Sequence, residues 1–157
     1  MHFMVLNEEQ AQVYAYEQPH VNISIRTPGS SKPELSPLAT GRKASLFLDF
    51  HDVTDPALDG KAISDLLGYS VKGNIKCFTT EQAKQIIEFY DKWKDSVDLV
   101  VVNCVAGISR SAATAAALSV IAGQGDEFIF NNKRYHPNML VYRLILNEAL
   151  GHEEKEN

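Results

Sequence analysis

Cys104, Arg110 and Ser111 lie in one run, Asn103-Cys104-Val105-Ala106-Gly107-Ile108-Ser109-Arg110-Ser111. An apolar, strand-like stretch at residues 99–102 precedes the run, and an alanine-rich stretch with good helix propensity at residues 111–122 follows it. A short loop between a strand and a helix brings its backbone N–H groups and the helix N-terminus to one point, and an oxyanion such as phosphate belongs there. Val105, Ala106, Gly107, Ile108, Ser109 and Arg110 are the expected cradle, with Gly107 relaxing the steric limits on the wrap. Arg110 can lay its planar guanidinium across two oxygens of the anion, which a lysine could not do. Cys104, at the end of the strand, would face the central atom of that anion. The same donors favour its thiolate, which is the competent nucleophile.

An oxygen displaced from phosphorus needs a proton, so a carboxylate must reach the loop. Residues 44–50 form an apolar, β-compatible run that stops at a polar cluster, so Asp49, Asp52 and Asp55 all stand where a strand ends. Ser111 would place its hydroxyl near the sulfur and help the thiolate depart, or would simply occupy a helix N-terminus. Ser109 is expected to orient backbone. His51 reads as a surface histidine that could contact substrate, and Lys133 with Arg134 as a solvated turn that could steer an anion. Cys77 has no comparable setting and reads as an inert buried thiol. His2, His20, His51, His136 and His152 show no pairing such as His-x3-His, so neither a metal nor another cofactor is expected.

These side chains need elements to hold them. Residues 3–6 read as a short strand and residues 7–16 as a helix, with Asn7 and Gln10 spaced as a capping box. Residues 21–26 alternate Val, Ile, Ile against Asn, Ser, Arg, the period of a strand. Residues 27–42 crowd Pro28, Gly29, Ser30, Ser31, Pro33, Pro37 and Gly41 into a surface loop. Thr79 or Thr80 caps a helix that carries Ala83, Ile86, Ile87, Tyr90 and Trp93 on one face. A last helix starts near Pro137 and carries Leu140, Val141, Leu144, Ile145 and Leu150. Strands and helices alternate, which predicts an α/β sandwich with a mainly parallel central sheet flanked by helices.

At 157 residues and 45% hydrophobic content, the chain suits a single domain, expected over residues 1–150, with 151–157 a polar tail that frays. A formal net charge of -5 gives no basic field for extended nucleic-acid binding, so any phosphate recognition must be local. No apolar run is long enough for a bilayer, and the first residues lack the basic flank and cleavage pattern of a signal peptide. With only two cysteines and no disulfide framework, a cytoplasmic protein without a membrane partner is expected.

The run around Cys104 resembles the His-Cys-x5-Arg-Ser/Thr loop of the cysteine-based protein tyrosine and dual-specificity phosphatases, departing only at Asn103. Phe78-Thr79-Thr80-Glu81-Gln82-Ala83, the strand at 99–102 and Tyr135-His136-Pro137-Asn138-Met139 are similar to small phage or bacterial-type members, and the likeness spans roughly residues 44–149. It implies a protein tyrosine phosphatase-like fold whose site lies at the C-terminal ends of parallel strands. It also implies that Cys104 is the nucleophile of a phosphomonoester hydrolase, with Arg110 on the phosphate and Ser111 beside the sulfur. Leu48-Asp49-Phe50-His51-Asp52-Val53 resembles the family's acid segment and puts Asp52 in the donor place. The long stretch before Thr79 keeps Asp55 open, and Asp49 less so. The implied substrate is a phosphorylated protein or small aryl phosphate, turned over through a cysteinyl-phosphate without a cofactor. Asn103, where the family has histidine, implies a modest weakening or, as the alternative, a phosphate-binding pseudophosphatase.

Overall fold

Val21, Ile23 and Ile25 point to one side of their strand and His20, Asn22 and Ser24 to the other, yet all six are buried. That strand therefore runs through the middle of the molecule. The computed structural model describes residues 1–30 and 34–156, so Ser31 and Pro33 of the loop lie outside the described residues. Strands β1 (His2–Leu6), β2 (His20–Arg26), β3 (Arg42–Asp49) and β4 (Leu99–Asn103) form, among the described residues, a four-stranded sheet in the order β1-β4-β2-β3. Every pairing is parallel, so the expected mainly parallel sheet is entirely so. β4 is central and buried at all its residues, as a continuous Leu-Val-Val-Val run demands.

Of the helices α3 (Thr80–Trp93), α4 (Arg110–Ile121) and α6 (Met139–Glu156), α6 packs against both α3 and α4. Their core residues Ile86, Leu118, Val141 and Ile145 meet Val21, Ile23, Val100 and Val102 of the sheet. Ala112, Ala113, Ala115, Ala116 and Ala117 are all fully buried in α4, and their small side chains let that helix lie close to its neighbours. Thr79 caps α3 through a complete capping box with Gln82. α1 (Glu8–Val13) begins with the expected Asn7–Gln10 box but stops three residues short of Tyr16, because Tyr14 turns extended.

Two short helices, α2 (Ile63–Leu67) and α5 (Glu127–Phe130), were not expected, since one turn carries too little periodicity to stand out. α6 also runs further than expected: it continues to Glu156 through the residues read as a frayed tail. Glu and Lys are good helix formers and no proline interrupts them. Among the described residues, no helix is long and apolar enough to cross a membrane.

Ile86 is fully buried between α3 and the sheet. Ile86→Ala is expected to lower the unfolding free energy by about 2–5 kcal/mol, read from a denaturant titration with unchanged m-value.

Candidate active site

Cys104 follows directly on β4, and α4 begins at Arg110, so the loop between them has the strand-to-helix setting expected from its sequence. Its N–H donates to the Leu6 carbonyl (3.4 Å), which extends the β1–β4 pairing one step past Asn103. Cys104 is 98% buried, and the Gly107 N–H donates to its Sγ at 3.3 Å while the Ser111 hydroxyl lies 3.0 Å from it. Gly107 is held at φ +67, and a Cβ there would come 2.8 Å from the Asn7 nitrogen and 2.9 Å from the Leu6 carbonyl carbon. Only glycine meets both the conformation and the space. The Glu8 N–H donates to the Val105 carbonyl (3.1 Å), so the β1–α1 junction is the mould over which the loop bends.

Arg110 is 94% buried and lies across the ends of the two neighbouring strands. Nη1 donates to the Phe50 carbonyl (2.7 Å), just past β3, and Nη2 to the Thr27 hydroxyl (3.2 Å), just past β2. Those two bonds fix the guanidinium plane and leave donors of its five N–H groups for an anion.

Of the three candidate carboxylates, Asp52 is the one bonded to the loop. Its Oδ1 accepts from the Ser109 hydroxyl (2.8 Å) and from Asn138 Nδ2 (2.8 Å). Asp49 is instead paired with Arg26 (3.5 Å), and Asp55 caps the 3-10 turn Pro56–Leu58 through the Ala57 N–H. The Ser109 side chain is therefore engaged with Asp52 and does not cap α4. Cys77 is buried apart from the loop, its N–H on Asp59 and its thiol 3.7 Å from the Asp55 carbonyl; burial, then Asp59 and Asp55, push its pKa up.

Asn138 was not singled out by its type, yet it joins three parts of the site. It is buried, its Oδ1 accepts from the Leu140 and Val141 N–H groups to cap α6, and its Nδ2 reaches Asp52 and the Val53 carbonyl. Its own N–H donates to the Ser109 carbonyl, while that of His136 donates to the Ile108 carbonyl. Thr27 was likewise missed. The resemblance around Pro137 was the one signal that could have drawn attention to Asn138.

Asn103 lies on the face of the sheet opposite to Cys104, since side chains alternate along β4. Its Oδ1 accepts from Asn22 Nδ2 (2.9 Å) and its Nδ2 donates to the Ser24 hydroxyl (3.2 Å). The network continues through the Tyr14 hydroxyl, 3.0 Å from both Asn22 Oδ1 and His20 Nε2. Burial holds the pKa of His20 down and that of Tyr14 up. Among the described residues, no group of three or more His, Cys, Asp or Glu side chains is arranged to hold a metal.

No family model and no curated protein sequence matches the chain. Among solved structures, human DUSP28 superposes with a TM-score of 0.52 at 17% identity, over 98% of this chain and 94% of that one. Human tyrosine phosphatase-like serine/threonine/tyrosine-interacting protein is similar at a TM-score of 0.49 and 20% identity, over 89% of this chain and 79% of that one. The likeness to DUSP28 is one of fold: an α/β architecture with a parallel sheet flanked by helices.

Because Gly107 combines a positive φ with backbone contact, Gly107→Ala is expected to destabilise the chain by upwards of ~1 kcal/mol. It should also speed amide hydrogen exchange at Glu8 and Cys104, since the loop can no longer close on Asn7.

Proposed function

We propose that the chain is a phosphomonoester hydrolase acting on phosphotyrosine, with phosphoserine or phosphothreonine as further substrates, in a phosphorylated protein or a small aryl phosphate. The observation that carries this reading is the enclosure of Cys104 Sγ by the Gly107 N–H and the Ser111 hydroxyl, at a helix N-terminus that Arg110 also closes. The donors around the sulfur stabilise a thiolate. The remaining loop amides of residues 105–110 and the Arg110 guanidinium bind the phosphoryl oxygens and stabilise their charge in the transition state.

The thiolate attacks phosphorus while the bond to the leaving oxygen breaks, and Asp52 gives that oxygen its proton. Asp52 Oδ1 is occupied by Ser109 and Asn138, which leaves Oδ2 for the leaving group. The ionised Asp52 then takes a proton from water as the water attacks the phosphocysteine. The Ser111 hydroxyl, 3.0 Å from the sulfur, stabilises the thiolate as it leaves.

A second reading, phosphate binding with weakened or absent turnover, rests on Asn103, whose amide is committed to Asn22 and Ser24. Cys104→Ser is expected to abolish release of phosphate from an aryl phosphate while vanadate or phosphopeptide binding persists; undiminished turnover in that variant would sink the mechanism. Asp52→Ala should lower kcat by about 10²–10⁴ on a poor leaving group and flatten the acidic limb of the pH profile. If Asp55→Ala does so instead, the proton donor has been misassigned. A native chain that binds phosphate without turnover, and gains turnover in Asn103→His, would establish the second reading.

A further inference from the structure

The turn that carries Asp52 is held from two sides, and only one of them belongs to the phosphate loop. On the inner side Ser109 and Asn138 hold the carboxylate. The backbone itself makes a three-residue turn, with the Val53 N–H donating to the His51 carbonyl (2.9 Å) and Asp52 at its centre. On the outer side His51 and Lys76 bond each other reciprocally. The His51 N–H donates to the Lys76 carbonyl (2.8 Å), and the Lys76 N–H donates to the His51 ring at Nδ1 (2.9 Å).

The Lys76 end of that clamp is anchored. Gly60 and Lys61 pair with Ile75 through two bonds of 2.8 Å, the Cys77 N–H is held by Asp59, and Ile75, Cys77 and Phe78 are buried. The Phe78 ring packs 4.8 Å from that of Phe50, whose carbonyl holds Arg110. A backbone N–H can only donate, so Nδ1 must present its lone pair and the proton of the neutral ring must sit on Nε2. Burial, and then the charge of Arg110, push the His51 pKa down and keep the ring neutral.

We infer that His51 is a positioning residue for the proton donor: its ring ties the Asp52 turn to the wall formed by residues 75–78 and fixes where the carboxylate stands. This rests on the reading of Asp52 as general acid. Losing the ring leaves the main-chain bond to Lys76 in place but frees the turn to rotate about it. The consequence is specific. A misplaced acid slows departure of a basic leaving oxygen, whereas an acidic phenol leaves without a proton.

The test compares the native chain, His51→Ala and His51→Asn on phenyl phosphate and on 2,4-dinitrophenyl phosphate, with amide hydrogen exchange of Lys76 in the same samples. Asn sets an amide oxygen at the place of Nδ1 and can accept the same bond, but it cannot transfer a proton. For His51→Ala, kcat/KM on phenyl phosphate should fall about tenfold or more, while kcat/KM on the dinitrophenyl ester, which reads the leaving-group step and not the later hydrolysis that Asp52 also serves, stays within about threefold. His51→Asn should restore both kcat/KM on phenyl phosphate and the protection of the Lys76 amide that His51→Ala loses. Equal losses on the two esters, no loss on either, or no restoration by Asn would overturn the assignment. The exchange measurement reads the bond without turnover: unchanged Lys76 protection in His51→Ala refutes the clamp even in an inactive chain. An absence of turnover that survives in the native chain, or turnover undiminished in Cys104→Ser, instead brings down the hydrolase reading itself.

Discussion

The site depends on a close approach of backbone to backbone, where Gly107 lies against the Leu6–Asn7 peptide with no room for a Cβ. β1 and β4 are neighbours in register, Leu6 beside Asn103, so the chain leaving β4 must pass over the end of β1 before α4 can start. The Leu6 carbonyl takes the Cys104 N–H and the Val105 carbonyl takes the Glu8 N–H, which locks the two strand ends together on either side of the crossing. The Asn7 capping box settles where α1 begins, and therefore where that surface lies. A thiol at residue 104 becomes enclosed because the loop is bent over this mould, and its enclosure owes more to the first ten residues of the chain than their distance along the sequence suggests.

A second set of contacts carries the crossing outward. Arg110 reaches the ends of β2 and β3, and Asn138 joins the start of α6 to the loop and to Asp52. The two bonds of Arg110 tie the helix that follows β4 to the ends of β2 and β3. This is the crevice that an open α/β sheet offers at its C-terminal edge. The all-parallel sheet matters here because it delivers the ends of β2, β3 and β4 to the same side, which an antiparallel neighbour would not.

Local chemistry was legible in the sequence where a signal is contained within a few residues. The capping box at Asn7, a threonine cap at Thr79 or Thr80, the alternation from Val21 to Ile25, and the apolar run of β4 all declare themselves over one or two turns or a strand. The partners of polar side chains are a different matter. Arg110 meets Phe50 and Thr27, and Asp52 meets Asn138, across 60 to 86 residues of sequence, and nothing in the residue types reports that distance. The polar positions of β2 were readable as one face of a strand. Their burial was not, because it follows in part from Tyr14, which stands over that face and bonds His20 and Asn22. The three carboxylates at and after the end of β3 could be narrowed only by resemblance, since Asp49, Asp52 and Asp55 differ in where their backbone turns and not in chemistry.

Asn103 illustrates how position along a strand governs what a substitution can do. Alternation sends the side chains of residues 103 and 104 to opposite faces, so the residue before the cysteine has no direct path to the sulfur on the loop side. Its effect must travel through β4 itself, by way of the bonds to Asn22 and Ser24 that hold β4 against β2. These bonds satisfy both ends of a buried amide, and an amide so satisfied costs the fold little. The two groups at the sulfur, the Gly107 N–H and the Ser111 hydroxyl, belong to the loop and helix and are set by the Gly107 crossing. Replacing the residue at 103 therefore alters the support beneath the strand end while leaving the immediate surroundings of the thiol in place, which is why the proposed phosphate binding and the proposed phosphoryl transfer can respond to it by different amounts.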